Sequence, residues 1–347
     1  METKRIYIYG FIPNYYSADS FLNLEDIGVY AVPFQKVSAI VSDKEFCEFR
    51  QLDRDSLAKL LVHHQIIIES LMNNGFSTII PMRLGTYASN KSEVWKIIEK
   101  GYDLIIDTLK KNENMVEIDV VASYADFSEV IREVANSPDV VALKDSILKN
   151  GSEITGADQI EIGMLVKEKL DERKNVITSK IKDVLSPFIC EDRAHEVMND
   201  QMILNTAFLI KRDETAQFEI MVNKLDETFN GKLNFRLVGP LPCYSFYTLE
   251  VKEMNLEQVE QAKNELGLTE EISENEIKKA YYEKAKLFHP DKNHGTDNEE
   301  NFNRIKNAYN TLLDYSAALV KQSSNEEKFS LAKEEVIENL ILVKIKE

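Results

Sequence analysis

Apolar residues recur at every second position in Arg5-Ile-Tyr-Ile-Tyr-Gly-Phe11, the period of a strand, and the β-branched and aromatic content agrees. Gly28 to Val32 and Lys36 to Val41 read as two further strands, separated by Pro33. The period then lengthens. Leu57, Leu60, Leu61, His64, Ile67, Ile68 and Leu71 predict a helix, capped by Asp55 or Ser56 and closed by Asn74-Gly75. A strand from Phe76 to Met82 and a helix from about Asn90 to Lys110 follow. This β-β-β-α-β-α order predicts an α+β domain with helices on one face of a mostly antiparallel sheet.

A second round starts at Met115. Val116 to Ser123 reads as a strand in which Glu117 and Asp119 alternate with apolar residues. Charged helical segments are expected from about Phe127 to Leu148 and from Gln159 to Leu185, and a short helix from Arg193 to Asn199. Ile203 to Lys211, Lys232 to Val238 and Tyr244 to Val251 read as strands, with a helix from Glu214 to Phe229. Strands nearly vanish after Val251, which places a boundary near residue 253. The end of the chain, Ile341-Leu-Val-Lys-Ile-Lys346, alternates like a strand that can return to a sheet edge of the α+β part.

The length of 347 residues exceeds what one core usually serves, so two or three domains are expected. Lys plus Arg number 42 against 59 Asp plus Glu, a formal net charge of −17, which argues against general nucleic-acid binding and against docking on an anionic membrane. No apolar run reaches the ~20 residues of a membrane span, and Met1 to Gly10 does not read as a signal peptide. Cys47, Cys190 and Cys243 are far apart and form no C-x-x-C pair, so neither a disulfide framework nor a zinc site is expected. These features read as a soluble cytoplasmic protein with no metal and no cofactor.

The sequence offers no H-E-x-x-H, phosphate-cradling glycine loop or G-x-S-x-G, so an enzyme is not expected. His64 falls on an apolar helix face and reads as a satisfied core histidine. His195 and His294 suggest no partner.

The sharpest motif is His289-Pro290-Asp291. Ser273-Glu-Asn-Glu276 is a capping box opening a helix that runs to Phe288, and Pro290 cannot continue it. A second helix spans Asn298 to Asp314, with Phe302, Ile305, Ala308, Tyr309 and Leu312 as its buried stripe. Leu266-Gly267-Leu268, Ile277-Lys-Lys-Ala-Tyr281, Phe288-His-Pro-Asp-Lys-Asn293 and the second-helix stripe resemble the J domain of DnaJ-type co-chaperones. The resemblance implies that His289, Pro290 and Asp291, with Lys278, Lys279 and Lys286, engage a DnaK-type chaperone. The sequence departs from the family where Tyr282, Glu283 and Leu287 stand at positions that tend to be basic.

Three patches further upstream carry a second resemblance: Ile79-Ile-Pro-Met-Arg-Leu-Gly-Thr-Tyr87, Leu204-Asn-Thr-Ala-Phe-Leu-Ile210 and Phe235-Arg-Leu-Val-Gly-Pro-Leu-Pro-Cys-Tyr-Ser-Phe246. With Tyr7-Ile-Tyr-Gly10 they are similar to the gas vesicle GvpL/GvpF family over about 250 residues. Cys243 stands where that family prefers a second proline. The resemblance implies an α+β fold of two ferredoxin-like domains, followed by an all-α helical-hairpin J domain. The expected division is 1–113, 114–252 with a helical insertion, 253–320 for the J domain, and a tail at 321–347.

The implied role is gas vesicle assembly, with the shell protein GvpA, other Gvp proteins and a DnaK-type chaperone as partners, at the gas vesicle or in the cytoplasm. The alternative is a minor shell component with a weak or vestigial J domain. Arg83, Gly85, Thr86, Asn205, Gly239, Pro240 and Pro242 are the family-motif residues, structural or partner-binding. Arg83 suits a bidentate carboxylate contact, within the chain or on a partner, and the internal pairing is favoured. Gly239-Pro-Leu-Pro242 is expected to be a rigid turn between the last two strands, and Asn205 to satisfy backbone groups beside its strand.

Overall fold

A computed structural model describes residues 4–14, 24, 27–48, 52–149, 155–288, 296–319, 328–333, 336 and 340–346. Contacts gather the chain into two units, Met1–Glu113 with Tyr247–Glu347, and Asn114–Phe246.

The first sheet is built from β1 (Lys4–Pro13), β2 (Tyr30–Phe34), β3 (Val37–Glu45) and β4 (Ile80–Pro81), in the order β2-β3-β1-β4, with β5 (Tyr87–Ala88) also pairing with β1. Every pairing is antiparallel. The central strand β1 is buried on both faces from Ile6 to Pro13. Helix α1 (Arg54–Asn73) starts one turn earlier than the hydrophobic stripe suggests, because the Asp53 carboxylate accepts from the Ser56 N–H at 2.7 Å. It buries His64, Ile67, Ile68 and Leu71. The helix expected from Asn90 to Lys110 is two helices, α2 (Lys91–Lys100) and α3 (Tyr102–Lys111), that meet at Gly101. A Cβ there would lie 2.8 Å from the Val343 side chain, so the close approach of the chain's last strand requires the glycine. The strand expected from Phe76 to Met82 is regular only at Ile80–Pro81.

The second unit repeats the plan. Strands β6 (Met115–Tyr124), β7 (Glu191–Ala194), β8 (Met202–Lys211) and β9 (Leu233–Leu241) lie in the order β7-β8-β6-β9, all antiparallel. Helices α4 (Phe127–Ala135), α5 (Pro138–Lys149) and α6 (Gly156–Leu185) join β6 to β7, and α7 (Thr215–Thr228) joins β8 to β9. In both sheets the strands follow the spatial order second-third-first-fourth. The short helix expected from Arg193 is instead the edge strand β7. Its backbone pairs with β8 from Glu191↔Leu209 to Ala194↔Thr206, and its polar side chains suit an exposed edge. The strand expected from Tyr244 begins as a helical turn, Tyr244–Tyr247, held where the Tyr244 N–H donates to the Pro242 carbonyl at 2.6 Å.

The rest of the first unit comprises β10 (Leu249–Glu253), α8 (Leu256–Leu266), β11 (Glu271–Ile272), α9 (Glu274–Phe288), α10 (Thr296–Leu319), β12 (Phe329–Ser330) and β13 (Ile341–Ile345). The boundary expected near residue 253 is crossed by an antiparallel ladder, in which β13 returns to pair with β10 from Leu249↔Ile345 to Glu253↔Ile341. Val343 joins Leu249, Ile98 and Ile105 in the core of the first sheet. Lys344, one residue on, points the other way and donates to the Asp314 carboxylate of α10 at 2.9 Å. The helices have their own core, centred on Val259, Leu266, Ile277, Ile305, Leu312 and Tyr315.

Candidate functional site

Within the C-terminal helices, Ser273 opens α9 as its sequence predicts: the Glu276 carboxylate accepts from the Ser273 N–H at 2.8 Å and from its hydroxyl at 3.0 Å. Ile277 is fully buried, and the Tyr281 and Tyr309 rings stack with centroids 4.2 Å apart, fixing α9 against α10. The Lys284 ammonium donates to the Glu265 carbonyl, and Arg304 pairs with the Glu265 carboxylate, tying both helices to α8.

The opposite face of α9 is open. Lys279, Tyr282 and Lys286 are exposed at positions three and four apart, a single stripe on one side of the helix. Tyr282 is 60% and Leu287 64% exposed, large values for side chains that are mostly apolar. Lys278 stands one step round the helix and pairs with Glu274 at 2.5 Å, a hydrogen bond that raises the pKa of its ammonium. Thus Lys279 and Lys286 share the stripe, while Lys278 is turned toward an acid of its own helix. His289, Pro290 and Asp291 lie outside the described residues.

The upstream motif residues are held within the chain. After β4, the Met82 N–H donates to the Tyr9 carbonyl at 2.8 Å and the Arg83 N–H to the Leu249 carbonyl at 2.7 Å. The Arg83 guanidinium meets Glu250 at 2.7 Å, with its own side chain 57% exposed. Gly85 takes the left-handed φ of 83°, and its N–H donates to the Tyr7 hydroxyl at 3.3 Å. The Thr86 hydroxyl closes the turn onto the Arg83 carbonyl at 2.7 Å. Tyr7 also lies 2.8 Å from His64 Nδ1, and Tyr9 lies 3.0 Å from the Ser42 hydroxyl. Burial, with Lys44 nearby, pushes the His64 imidazole down to about 4, so it is neutral at pH 7.

Arg83 belongs to a larger charged group that its own neighbourhood in the sequence did not reveal. Glu250 also faces Lys344 at 3.5 Å, Lys344 reaches Asp314, and Lys252 reaches Asp314 as well. Burial alone would raise the Asp314 pKa; the two lysines outweigh it and hold the carboxyl low.

In the second unit, the Asn205 amide donates to the Glu196 carbonyl at 2.8 Å and holds the chain that leaves β7. Gly239 and Pro240 do not form the expected turn; they lie inside β9, joined by a cis peptide, at a break in register between Glu117↔Leu241 and Asp119↔Val238. Gly239 has φ 145°, and a Cβ on it would meet the Glu117 carbonyl at 2.8 Å, so a larger residue would separate β6 from β9. Pro242 follows the strand and supplies the carbonyl that starts the helical turn. Sequence reasoning left His195 without a partner; the structure brings it to Asp119 and Ser245.

No described helix is long and apolar enough to cross a membrane. Residues 5–248 match the family described as gas vesicle synthesis protein GvpL/GvpF, and residues 264–318 match the DnaJ domain. Gas vesicle protein F of Dolichospermum flosaquae is 25% identical over 250 residues, covering 71% of this chain and 98% of that protein. DnaJ homolog 1, mitochondrial, of Saccharomyces cerevisiae is 40% identical over 87 residues, 25% of this chain and 17% of that protein. The crystal structure of GvpF from Anabaena sp. PCC7120 superposes with a TM-score of 0.61 at 23% identity, over 70% of this chain and 97% of that one, which shows a shared fold. The chain therefore belongs to the GvpL/GvpF family of gas vesicle proteins and carries a DnaJ domain at its C-terminal end.

Proposed function

We propose that this protein is an accessory factor of gas vesicle assembly that binds the shell protein GvpA through its two α+β domains and brings a DnaK-type chaperone to it through the J domain. Both α+β domains are read as ferredoxin-like, from their common strand order. The carrying observation is that one chain holds both a GvpL/GvpF region and a DnaJ domain.

The physical logic is simple. A subunit that lines a gas space exposes apolar surface before assembly, which is an aggregation hazard. A factor that holds the subunit and recruits a chaperone limits that hazard. His289, Pro290 and Asp291 are the motif residues that would engage the chaperone, and Lys279 and Lys286 offer cations to an acidic partner surface. Lys278 contributes less, being engaged with Glu274. Arg83, Gly85, Thr86, Asn205, Gly239, Pro240 and Pro242 serve as scaffold; their hydrogen bonds, ion pair and close approaches lie within this chain.

The test follows GvpA by light scattering as it is diluted from denaturant, with this protein, DnaK and ATP. Scattering should fall most when all three are present, and return toward the level without DnaK when His289→Gln replaces the parent. Scattering that this protein does not change at any ratio would remove GvpA from its partners. If GvpA is held but DnaK adds nothing, the protein is better read as a shell component with an inactive J domain, a reading that exposed Tyr282 and Leu287 favour.

A further inference from the structure

Glu117 and Asp119 stand two apart on β6, so both side chains leave one face of the second sheet. His195 follows the edge strand β7, where its N–H donates to the Asn205 carbonyl at 2.7 Å. Ser245 lies in the helical turn just past the Gly239-Pro-Leu-Pro242 motif. The Glu117 carboxylate accepts from the Ser245 N–H at 2.7 Å and from its hydroxyl at 2.8 Å. The Ser245 hydroxyl is 3.3 Å from His195 Nε2, which in turn is 3.9 Å from Asp119 Oδ1. One ligating atom from each of Glu117, Asp119 and His195 lies within 4.8 Å of the other two.

This group is electrostatically incomplete. Glu117 is 2% exposed, and Asp119 stands beside it. Among the described residues neither carboxylate has a Lys or Arg ion pair, and His195 is the basic group they face. Asp119 Oδ1 is closed off from solvent and accepts no hydrogen bond. A buried carboxylate beside a half-buried one is balanced either by a proton or by a cation. A proton on Glu117, shared with Asp119, would offset one charge of the pair. A divalent cation would offset both.

We propose that Glu117, Asp119 and His195 bind a first-row divalent cation, Zn²⁺ by donor set, with Ser245 orienting the Glu117 carboxylate. Bonds of ~2.0–2.2 Å to a tetrahedral ion place its ligand atoms ~3.3–3.6 Å apart. The 3.9 Å between His195 and Asp119 is slightly wider than that, so the three side chains would have to draw together on a bound ion. One imidazole with two carboxylates suits a borderline ion better than the all-oxygen shells of calcium or magnesium. The cation would fasten β6 to the segment leaving β7. It would also lock the turn that follows the Gly-Pro-Leu-Pro motif, giving that motif's neighbour Ser245 a purpose the sequence alone does not supply.

The test is a calorimetric titration of the full chain with Zn²⁺ alone, after treatment with a chelator. One saturable equivalent is expected at pH 7.5, weakened at least tenfold at pH 5.5 as protons compete for the same ligands. His195→Ala and Glu117→Gln should each weaken binding at least tenfold, and Zn²⁺ should raise the thermal midpoint of the parent but of neither variant. Glu117→Gln mimics the protonated acid in shape, and His195 is partly exposed, so both variants should fold. Cys190→Ala should bind as the parent does, which excludes the exposed thiol as the ligand. No saturable binding, or parent-like binding by both site variants, would overturn the proposal and leave a carboxylate pair that shares a proton.

Discussion

The two sheets share one strand order, yet they bury opposite chemistry and keep different company. The first buries neutral groups: Tyr7 against His64, and Tyr9 against Ser42. The second buries an acid, Glu117, beside Asp119. The first also shares its unit with the last hundred residues, because β13 places Val343 in its core and Lys344 on the J-domain helix α10. The second, from Asn114 to Phe246, is a unit by itself. The two sheets have their strand order in common. The polar groups inside and the chain packed against the sheet are free to differ, and there the two domains diverge. The J domain is thus a packed extension of the first domain, strapped by a strand on its far side.

The largest effect should come from breaking that strap. Val343→Asp places a charge in the core of the first sheet, and an unpaired buried charge costs ~3 kcal/mol or more. Amide exchange should quicken along β10, β13 and α10 while β6 and β8 keep their protection. Equal loss of protection in both units would show that they do not unfold separately.

The pH dependence of the two buried groups sharpens the contrast. His64 takes up a proton near 6.5 when unfolded and only near 4 when folded, so stability falls as pH drops through that range. Glu117 loses its proton near 4.5 when unfolded and near 7 when folded, so stability falls as pH rises from 4.5 to 7. Each contributes up to ~3 kcal/mol, from 1.36 kcal/mol per pKa unit, and between pH 4.5 and 6.5 the two nearly cancel. Denaturant titrations in chelator should therefore be flat for the parent there, steeper upward with pH for Glu117→Gln, and downward for His64→Gln. Parent-like profiles for both variants would contradict the two assignments.

Smaller effects are expected at the surface. Exposed charge pairs are worth ~0.2–1 kcal/mol each, so Tyr282→Arg with Glu283→Lys should tighten DnaK binding by ~0.4–2 kcal/mol, or ~2- to 30-fold. The gain should shrink with added salt in an ionic-strength series. An unchanged affinity would mean that the open stripe of α9 is not the docking face. Arg83→Ala should be milder still, ~0.2–1 kcal/mol in thermal unfolding, because the guanidinium is 57% exposed and Lys344 also faces Glu250. A much larger loss would mean that the Arg83, Glu250, Lys344 and Asp314 group acts as one unit.

Long periodic segments were legible in the sequence. The strands around Ile6–Phe11 and Ile203–Lys211, the helix bearing His64 and the capped helix before His289 all announce themselves through spacing and caps. What escaped has physical causes. The edge strand Glu191–Ala194 is short, polar and largely exposed, so no apolar alternation marks it. The helical turn Tyr244–Tyr247 depends on hydrogen bonds that its N–H groups donate to the Pro242 carbonyl and to Glu117, which local propensity does not contain. Glu250 lies 167 residues from Arg83, and Ser245 lies 128 from Glu117, so only the folded chain joins them. The alternation of Glu117 and Asp119 in an apolar strand was a visible signal, and His195 was its missing partner. His289, Pro290 and Asp291 rest on the sequence motif, since they fall outside the described residues.

That motif is also where the account is tested most directly. ATP turnover by DnaK would be measured with the full chain, with His289→Gln and with neither. The account predicts turnover that rises with the parent protein, falls back to the unassisted rate with His289→Gln, and declines as salt is added. Equal turnover with the parent and the His289→Gln protein would contradict it, because the J domain would then be present in the chain without acting on the chaperone.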